Sequence, residues 1–435
     1  MNKLSIIPRC MPRFHQAVFF LLLLIVVLTP CVAAQTDGTE DRVVTASDGT
    51  DLDIQVYPAE GNHLALWLVS GQGARERSSE IATQLAGKGV EVWQVDLAES
   101  LFLTRSAEQL RSIDATYVAE LLSQAHQKTR KKILGIAGSY HAIPLLRGIR
   151  IWQQQAAKPY LLGAVLLTPS LYATVPSLGM DPEYVPVVKS TNIPIAIFQD
   201  GKRGNRWYVD QLIQHLRSGG SQVTLTVFEG VAGLLYEGDN SAQTLQTVTE
   251  LPDRIIASIA MLSTSPVPSI PAPAARGYEP KGSGIDDRLK PFKANLQPPA
   301  IDLPNILGGN YRRANYQGQI TVVNFWATWC PPCVQEIPSL NRLKSAMQDV
   351  PFELISINYA EEVNAVNEFL RRVDVKFPVL LDIDGKFAAS WNVVAFPSTF
   401  VIGPNGKIRY GVNAGIHWDN PEVMKKLRAL VNDGS

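Results

Sequence analysis

The N-terminal half of this chain alternates short apolar runs with longer segments of helical spacing. Apolar runs that read as buried strands lie at 63–71, 90–97, 132–137, 161–169, 193–200 and 223–230. Apolar residues recur at helical intervals near 77–88, 107–128, 140–156, 207–218 and 243–262. Buried strands that alternate with helices build a mainly parallel sheet covered by helices on both faces. This pattern predicts an α/β, doubly wound fold for residues 35–262.

The C-terminal part alternates in the same way over a shorter length, without repeating the first pattern. Strands are expected at 320–327, 352–359, 378–382, 398–403 and 407–412, and helices from the first strand to about 347, near 362–372 and near 420–432. We therefore predict a second α/β domain over residues 298–435.

Residues 263–297 separate the two patterns. The sequence SPVPSIPAPAARGYEPKGSG carries five prolines and no apolar periodicity. Such a composition is typical of an extended, semi-rigid linker. A tether of this kind raises the effective concentration of one domain at the other without needing a rigid interface.

The charge balance excludes some partners and the N-terminus indicates a compartment. Lys and Arg number 40 and Asp and Glu also 40, so no basic excess favours nucleic acid. The first 34 residues carry Lys3, Arg9 and Arg13 but no acidic residue, with an apolar run at 17–29 and small residues up to Ala34. This is the pattern of a secretory signal peptide, or of an N-terminal anchor if it is not cleaved. We predict export to the periplasm.

Cysteine usage restricts the chemistry to one place. Of four cysteines, Cys10 and Cys31 lie in the N-terminal leader, so only Cys330 and Cys333 belong to the predicted domains. One Cys-x-x-Cys with no second pair cannot supply a four-ligand structural zinc site. We predict no metal and no cofactor other than a redox-active Cys330–Cys333 disulfide.

The two cysteines follow a buried strand and begin a helix. Backbone N–H groups and the positive end of the helix dipole stabilise a thiolate at that position. Cys330 is therefore the predicted nucleophile, and Cys333, one turn on, the residue that resolves the mixed disulfide. A tight structural disulfide in a non-catalytic binding protein is the alternative.

The segment VVNFWATWCPPCVQEIPSLNRL resembles the thioredoxin superfamily, and in particular the exported TlpA and ResA branch, over residues 298–432. The resemblance implies a thiol-disulfide oxidoreductase that reduces protein disulfides and is recharged by a membrane electron donor of the DsbD or CcdA kind. It also implies that Pro397, in the loop VAFPST, follows a cis bond and shapes substrate docking. The Phe396 backbone would then pair with a substrate strand, beside Trp329.

Glu336 lies three residues after Cys333 and matches the acidic residue that handles protons for the buried thiol in the same branch. Helical i, i+3 spacing makes a contact possible. A first-turn Glu favoured by the helix dipole is the alternative. Asn324 stands where cytoplasmic thioredoxins carry a buried Asp, so more of the proton transfer rests on Glu336.

The first domain is similar to α/β-hydrolases, in particular the VirJ-like group, at SGQG (70–73) and LGIAGSYHA (134–142). The resemblance makes the first loop an oxyanion hole and the second a nucleophile elbow. With the elbow aligned as Gly-Ile-Ala-Gly-Ser, Ala137 takes the nucleophile position and Ser139 falls two residues into the helix.

The other members of a catalytic triad are incomplete. Asp200 occupies the acid region after the strand at 193–200, but Gly233 stands where the histidine is expected. We predict a catalytically inactive hydrolase-like domain that binds a ligand or a partner. An active serine hydrolase that uses Ser139 is the alternative, and oligomeric state is left open.

Overall fold

A computed structural model describes residues 38–69, 74–155, 160–236, 238–276, 288–294 and 296–431. Residues Thr39–Ser435 form one compact unit. The predicted leader and the predicted oxyanion loop at 70–73 lie outside the described residues. Within the described ranges, no helix is both long and apolar enough to cross a membrane.

The first sheet confirms the predicted α/β fold class. Its strands lie in the order β1-β2-β4-β3-β5-β6-β7-β8. β1 and β2 are antiparallel to their neighbours, and β4 through β8 are parallel. The strands are β1 Glu40–Thr45, β2 Asp51–Tyr57, β3 His63–Leu68, β4 Val90–Val95, β5 Lys132–Gly138, β6 Leu161–Leu167, β7 Ile195–Asp200 and β8 Val223–Phe228.

Helices cover both faces of this sheet, as the alternation predicts. α3 to α6 pack on one face and α1 and α7 on the other. The helix expected at 107–128 is two helices, because Ile113 is extended and the Asp114 carboxylate caps the amide of Thr116. The helices are α1 Arg75–Gly87, α2 Leu97–Ser100, α3 Ala107–Ser112, α4 Thr116–Thr129, α5 Ala142–Gln155, α6 Val209–Ser218 and α7 Ala242–Ser263.

The second sheet is smaller and mixed. The order is β14-β13-β12-β15-β16-β9, with β12 parallel to β13 and antiparallel to β15, and β10 and β11 form a separate hairpin. The strands are β9 Lys290–Pro291, β10 Asp302–Pro304, β11 Asn310–Arg312, β12 Ile320–Trp326, β13 Phe352–Tyr359, β14 Val379–Asp382, β15 Ser398–Ile402 and β16 Ile408–Val412. The helices are α8 Pro331–Ala346, α9 Val363–Leu370, α10 Lys386–Ser390 and α11 Pro421–Ala429.

The described parts of the predicted linker contact both sheets. The Arg150 guanidinium donates a hydrogen bond of 2.5 Å to the carbonyl of Ala272, and the Ala275 amide donates one of 2.7 Å to the Ser190 hydroxyl. Further on, β9 pairs with β16 at the edge of the second sheet. The described residues of this segment are therefore hydrogen-bonded to both parts of the chain.

The two parts of the chain also contact each other directly, which the tether interpretation does not require. Leu178, from a loop of the first part, is buried in the core of the second sheet. The Asn413 side chain donates a 2.6 Å hydrogen bond to the carbonyl of Pro176, and the Trp207 indole donates one of 3.2 Å to the Tyr359 hydroxyl. These contacts hold the two parts face to face.

Candidate active site

The cysteine pair is a disulfide at the start of α8. Cys330 is the N-cap residue of the helix and Cys333 lies in its first turn, with an S–S distance of 2.01 Å. Both cysteines are buried, at 4% and 1% relative exposure. Because β12 ends just before them, the strand carries the pair to the carboxyl edge of the sheet, where the helix dipole favours a thiolate.

Glu361 fixes the loop that precedes the cysteines, and the sequence patterns did not identify it. Its carboxylate accepts hydrogen bonds from the Thr328 amide at 2.7 Å and the Asn358 side chain at 2.7 Å. Burial raises the pKa of Glu361 above its ordinary value, although these donors act in the opposite direction. The only available signal was an acidic residue directly after a buried strand.

Glu336 lies buried on the same helix, one turn after Cys333. The Asn324 amide donates to Oε1 at 2.7 Å and the Trp418 indole donates to Oε2 at 3.1 Å. Burial raises the pKa of Glu336 to about 7, against the lowering effect of these two donors. Asn324 therefore orients the carboxyl group of Glu336.

Aromatic side chains surround the disulfide. The Phe396–Pro397 bond is cis. The Phe396 ring contacts Trp329 edge-on at 6.0 Å and packs on Tyr359 at 4.6 Å, both measured between ring centroids. The Arg203 guanidinium, from the first part of the chain, lies 5.2 Å from the centroid of the Trp329 ring.

A cavity of about 500 Å³ lies between the two parts of the chain. One wall comes from the second part and includes Trp329, Cys330 and Phe396. The opposite wall comes from the first part and includes Ser139, Asp200, Arg203, Gly233 and Tyr236. The structure thus brings the predicted redox site and most of the predicted hydrolase-like site to one cavity.

The expectation that Ser139 falls two residues into the helix is wrong. β5 continues through Gly138, so Ala137 lies inside the strand, fully buried, and does not line the cavity. Ser139 is the first residue of the turn into a 3₁₀ helix, with a left-handed φ of 49°. In hydrolase folds, the nucleophile of the elbow is exposed on a turn with strained backbone of this kind. The strand extends one residue beyond its apolar run, to Gly138, so Ser139 is the first residue after the strand.

Asp200 and Gly233 lie together on the opposite wall, as the hydrolase-like alignment expects. The Leu234 amide donates a 3.2 Å hydrogen bond to Asp200 Oδ2, whereas the buried Oδ1 makes no hydrogen bond to any described residue. Burial raises the pKa of Asp200 to about 6, although the positive charge of Arg203 lowers it. No histidine is among the described residues that line the cavity.

Within the part of the chain that the structure describes, no cluster of His, Cys, Asp and Glu can hold a metal ion. A disulfide at the start of a helix, a cis-proline loop facing it and a mixed six-stranded sheet define a thioredoxin-fold redox protein. Residues 294–411 match the model of the AhpC/TSA family.

Two curated relatives are thiol-disulfide oxidoreductases named ResA. The one from Geobacillus thermodenitrificans is 32% identical over 136 residues, which cover 31% of this chain and 78% of the relative. The one from Geobacillus kaustophilus is 32% identical over 111 residues, which cover 26% of this chain and 64% of the relative. The crystal structure of StoA from Bacillus subtilis is 22% identical, with a TM-score of 0.27, over 31% of this chain and 96% of StoA.

The chain belongs to the ResA-like family of thiol-disulfide oxidoreductases through its C-terminal third. The predicted resemblance of that third and the predicted enzyme class are confirmed. The likeness of the first part to hydrolases stays a prediction.

Proposed function

We propose that this protein reduces protein disulfides outside the cytoplasm through Cys330 and Cys333. The observation that carries the proposal is the buried Glu336 carboxyl, with a pKa of about 7, on the helix that begins with the disulfide. A structural disulfide has no need of a buried group that titrates near neutrality, whereas an exchanging dithiol must release and regain protons.

The reduced pair acts in two steps. The Cys330 thiolate attacks one sulfur of the substrate disulfide and releases the other as a thiol. The Cys333 thiol then loses its proton, attacks the mixed disulfide and releases the second substrate thiol. Glu336, one helical turn from Cys333, takes that proton, and a pKa near 7 lets it both accept and return a proton at neutral pH.

Trp329, Phe396 and Pro397 shape the surface where a substrate chain docks. Residues 394–396 form one wall of the cavity, next to Cys330. An extended peptide that lies along these residues presents its disulfide to the Cys330 sulfur. We propose a membrane protein of the DsbD or CcdA kind as the electron donor and the leader at residues 1–34 as the export signal.

The first part of the chain is proposed to bind rather than to hydrolyse. Its strand order agrees with an α/β-hydrolase arrangement, with Ser139 at the turn after β5 and Asp200 at the end of β7. Acyl transfer also needs a base, and Gly233 stands at the position where the histidine is expected. A retained cleft without a base supports a binding role.

The reduction potential of the Cys330–Cys333 pair tests the proposed direction of electron flow. We expect the chain from residue 35 onward to equilibrate with dithiothreitol or glutathione buffers at roughly −200 to −270 mV, the range of thioredoxin and glutaredoxins. Thiol alkylation after quenching reads the reduced fraction. Cys333→Ser is the matched control, because it keeps the nucleophile but cannot close the disulfide.

Two outcomes would contradict the proposal. A potential near the roughly −120 mV of strong oxidants would reverse the direction of electron flow. A pair that never exchanges with either buffer would make the disulfide a structural element.

A further inference from the structure

The cavity between the two parts presents charged groups beside the disulfide that thiol-disulfide exchange itself does not use. Arg203 lies over the Trp329 ring and makes no hydrogen bond to another described residue through its side chain. Its Nε lies 3.9 Å from Asp200 Oδ2, which is an ion pair at the limit of contact. The guanidinium therefore keeps N–H donors for another acceptor.

Asp200 complements this cation with an unused acceptor. Its side chain is 4% exposed, and Oδ1 has no hydrogen-bond partner within the described part of the chain. A buried carboxylate oxygen without a donor costs free energy that a bound N–H group would recover. One wall of the cavity thus offers a cation and an anion side by side.

The size of the cavity restricts what can enter while the two parts are in contact. A volume of about 500 Å³ lies in the range of small-molecule sites, roughly 300–1,000 Å³. Gly204 lies against the Val394 carbonyl, so the first part of the chain confines the space beside residues 394–396. A ligand of the size of an amino-acid dimer fits without separation of the two parts.

We propose that this cavity binds the disulfide of a zwitterionic amino acid or a short peptide. Arg203 takes the carboxylate and Asp200 takes the ammonium group, since these two charges lie as close together on an α-amino acid as on this wall. The disulfide of the ligand then lies toward Cys330. The inference rests on the proposed function, because it needs a Cys330 that exchanges disulfides.

The reaction balances in electrons and atoms. The Cys330 thiolate bonds to one ligand sulfur, and the ligand S–S bond breaks to release one thiolate. Cys333 then bonds to Cys330 and releases the second ligand thiolate. Two electrons pass from the protein dithiol to the ligand disulfide, and protons from Cys333 and solvent convert both products to thiols. A dithiol reductant recharges the Cys330–Cys333 pair.

Three small disulfides of different charge test this site. Cystine carries both groups, dithiodipropionate lacks the ammonium groups and cystamine lacks the carboxylates. The pre-reduced chain is mixed with each at neutral pH, and its loss of free thiols is followed by quenched alkylation. Each rate is divided by the rate that the same disulfide shows with reduced dithiothreitol, which removes intrinsic reactivity. We expect the normalised rate for cystine to exceed the other two by about tenfold or more.

The variants assign the two charges separately. Arg203→Gln is expected to remove the preference over cystamine, and Asp200→Asn the preference over dithiodipropionate. Lys202→Gln is the matched control, because it removes the same charge one residue away and does not line the cavity. It should keep both preferences.

The outcomes separate this inference from the proposed function. If the oxidised parent and all variants exchange with dithiothreitol, the Cys330–Cys333 pair is intact and reactive. If the parent does not exchange, the proposed function itself is wrong. With exchange intact, a parent without preference for cystine, or variants that keep the preference, would overturn the cavity as an amino-acid site. If Arg203→Gln loses its preference but Asp200→Asn keeps the preference over dithiodipropionate, Asp200 does not bind the ammonium group.

Discussion

At the scale of single residues, Glu336 shows how burial sets a proton affinity. Glu336 is 4% exposed; Asn324 donates to one carboxyl oxygen and Trp418 to the other. Neutral hydrogen-bond donors do not offset the loss of hydration of a carboxylate, so the pKa rises to about 7. A group of this kind links stability to pH.

We predict that Glu336→Gln removes part of the loss of stability at high pH. The folded pKa of about 7 exceeds the ordinary 4.5, so the folded chain holds the proton more tightly than the unfolded chain. The favourable contribution is complete below the unfolded pKa and is lost as pH rises to about 7. Between about pH 5 and about pH 8, the oxidised parent protein should lose roughly 2–3 kcal/mol more stability than the variant.

Urea unfolding at the two pH values measures this difference. The change with pH is compared, not the absolute stability, because Gln also replaces one acceptor of the Asn324 and Trp418 hydrogen bonds. Glu368→Gln, an exposed glutamate of α9, is the matched control and should follow the parent. Equal pH dependence in parent and Glu336→Gln would show that the carboxyl group is not protonated near neutrality.

The residues of the redox site were readable from sequence because they are contiguous or follow helical spacing. Cys330, Cys333 and Glu336 lie on one short segment, and the strand before them fixes where it is placed. Glu361 and Arg203 reach the site from distant segments of the chain, and no local sequence pattern predicts that they lie there. Ser139 was placed wrongly because one extra strand residue changes which residue meets the turn.

At the scale of elements, the pattern of strands and helices was predicted and the edge strands were not. Buried parallel strands are continuous apolar runs, which are visible in the sequence. β1 and β2 alternate exposed and buried side chains, because one face of this antiparallel edge meets solvent. Continuous apolar runs therefore do not predict these two strands.

The 3₁₀ helix Gly204–Tyr208 packs against Val394, which belongs to the cavity wall next to Cys330. A Cβ atom on Gly204 would lie 2.6 Å from the Val394 carbonyl oxygen, which is closer than side chains approach backbone. We predict that Gly204→Ala loosens this contact and exposes Cys330. In the reduced protein, alkylation of Cys330 by a maleimide carried on a polymer too large for the cavity should become several-fold faster, since overpacking costs about 1–3 kcal/mol.

Gly87→Ala is the control for this change, because a Cβ at Gly87 meets open space. Its Cys330 should be alkylated at the same rate as in the parent. An unchanged rate in Gly204→Ala would mean that this contact does not limit access to Cys330.

At the scale of the whole molecule, the two parts share a core that neither pattern alone predicts. Leu178 comes from the loop after β6 but lies in the apolar cluster of the second sheet, against Gly411 of β16 and near Phe292. Sequence periodicity shows which face of an element is apolar, but not which partner covers it. The interface includes single loop residues such as Leu178, which carry no periodic pattern, so only the folded chain shows what they contact.

The shared core makes a prediction about cooperativity. We expect the oxidised parent to unfold in one calorimetric transition, because separation of the two parts exposes Leu178 and breaks the Asn413 and Trp207 hydrogen bonds. Leu178→Ala should weaken the interface by about 2–5 kcal/mol. The transition should then broaden or divide in two, with the less stable part unfolding at lower temperature.

Leu307→Ala is the matched control, since Leu307 is 90% exposed and the same atoms are removed without loss of packing. It should unfold as the parent does. Two separate transitions already in the parent would contradict the coupling, because the interface would then contribute too little free energy to make the parts unfold together. The cavity beside Cys330 would in that case exist only part of the time, and selection of small disulfides would weaken in proportion. Cooperative unfolding and small-disulfide preference should therefore be lost together in Leu178→Ala.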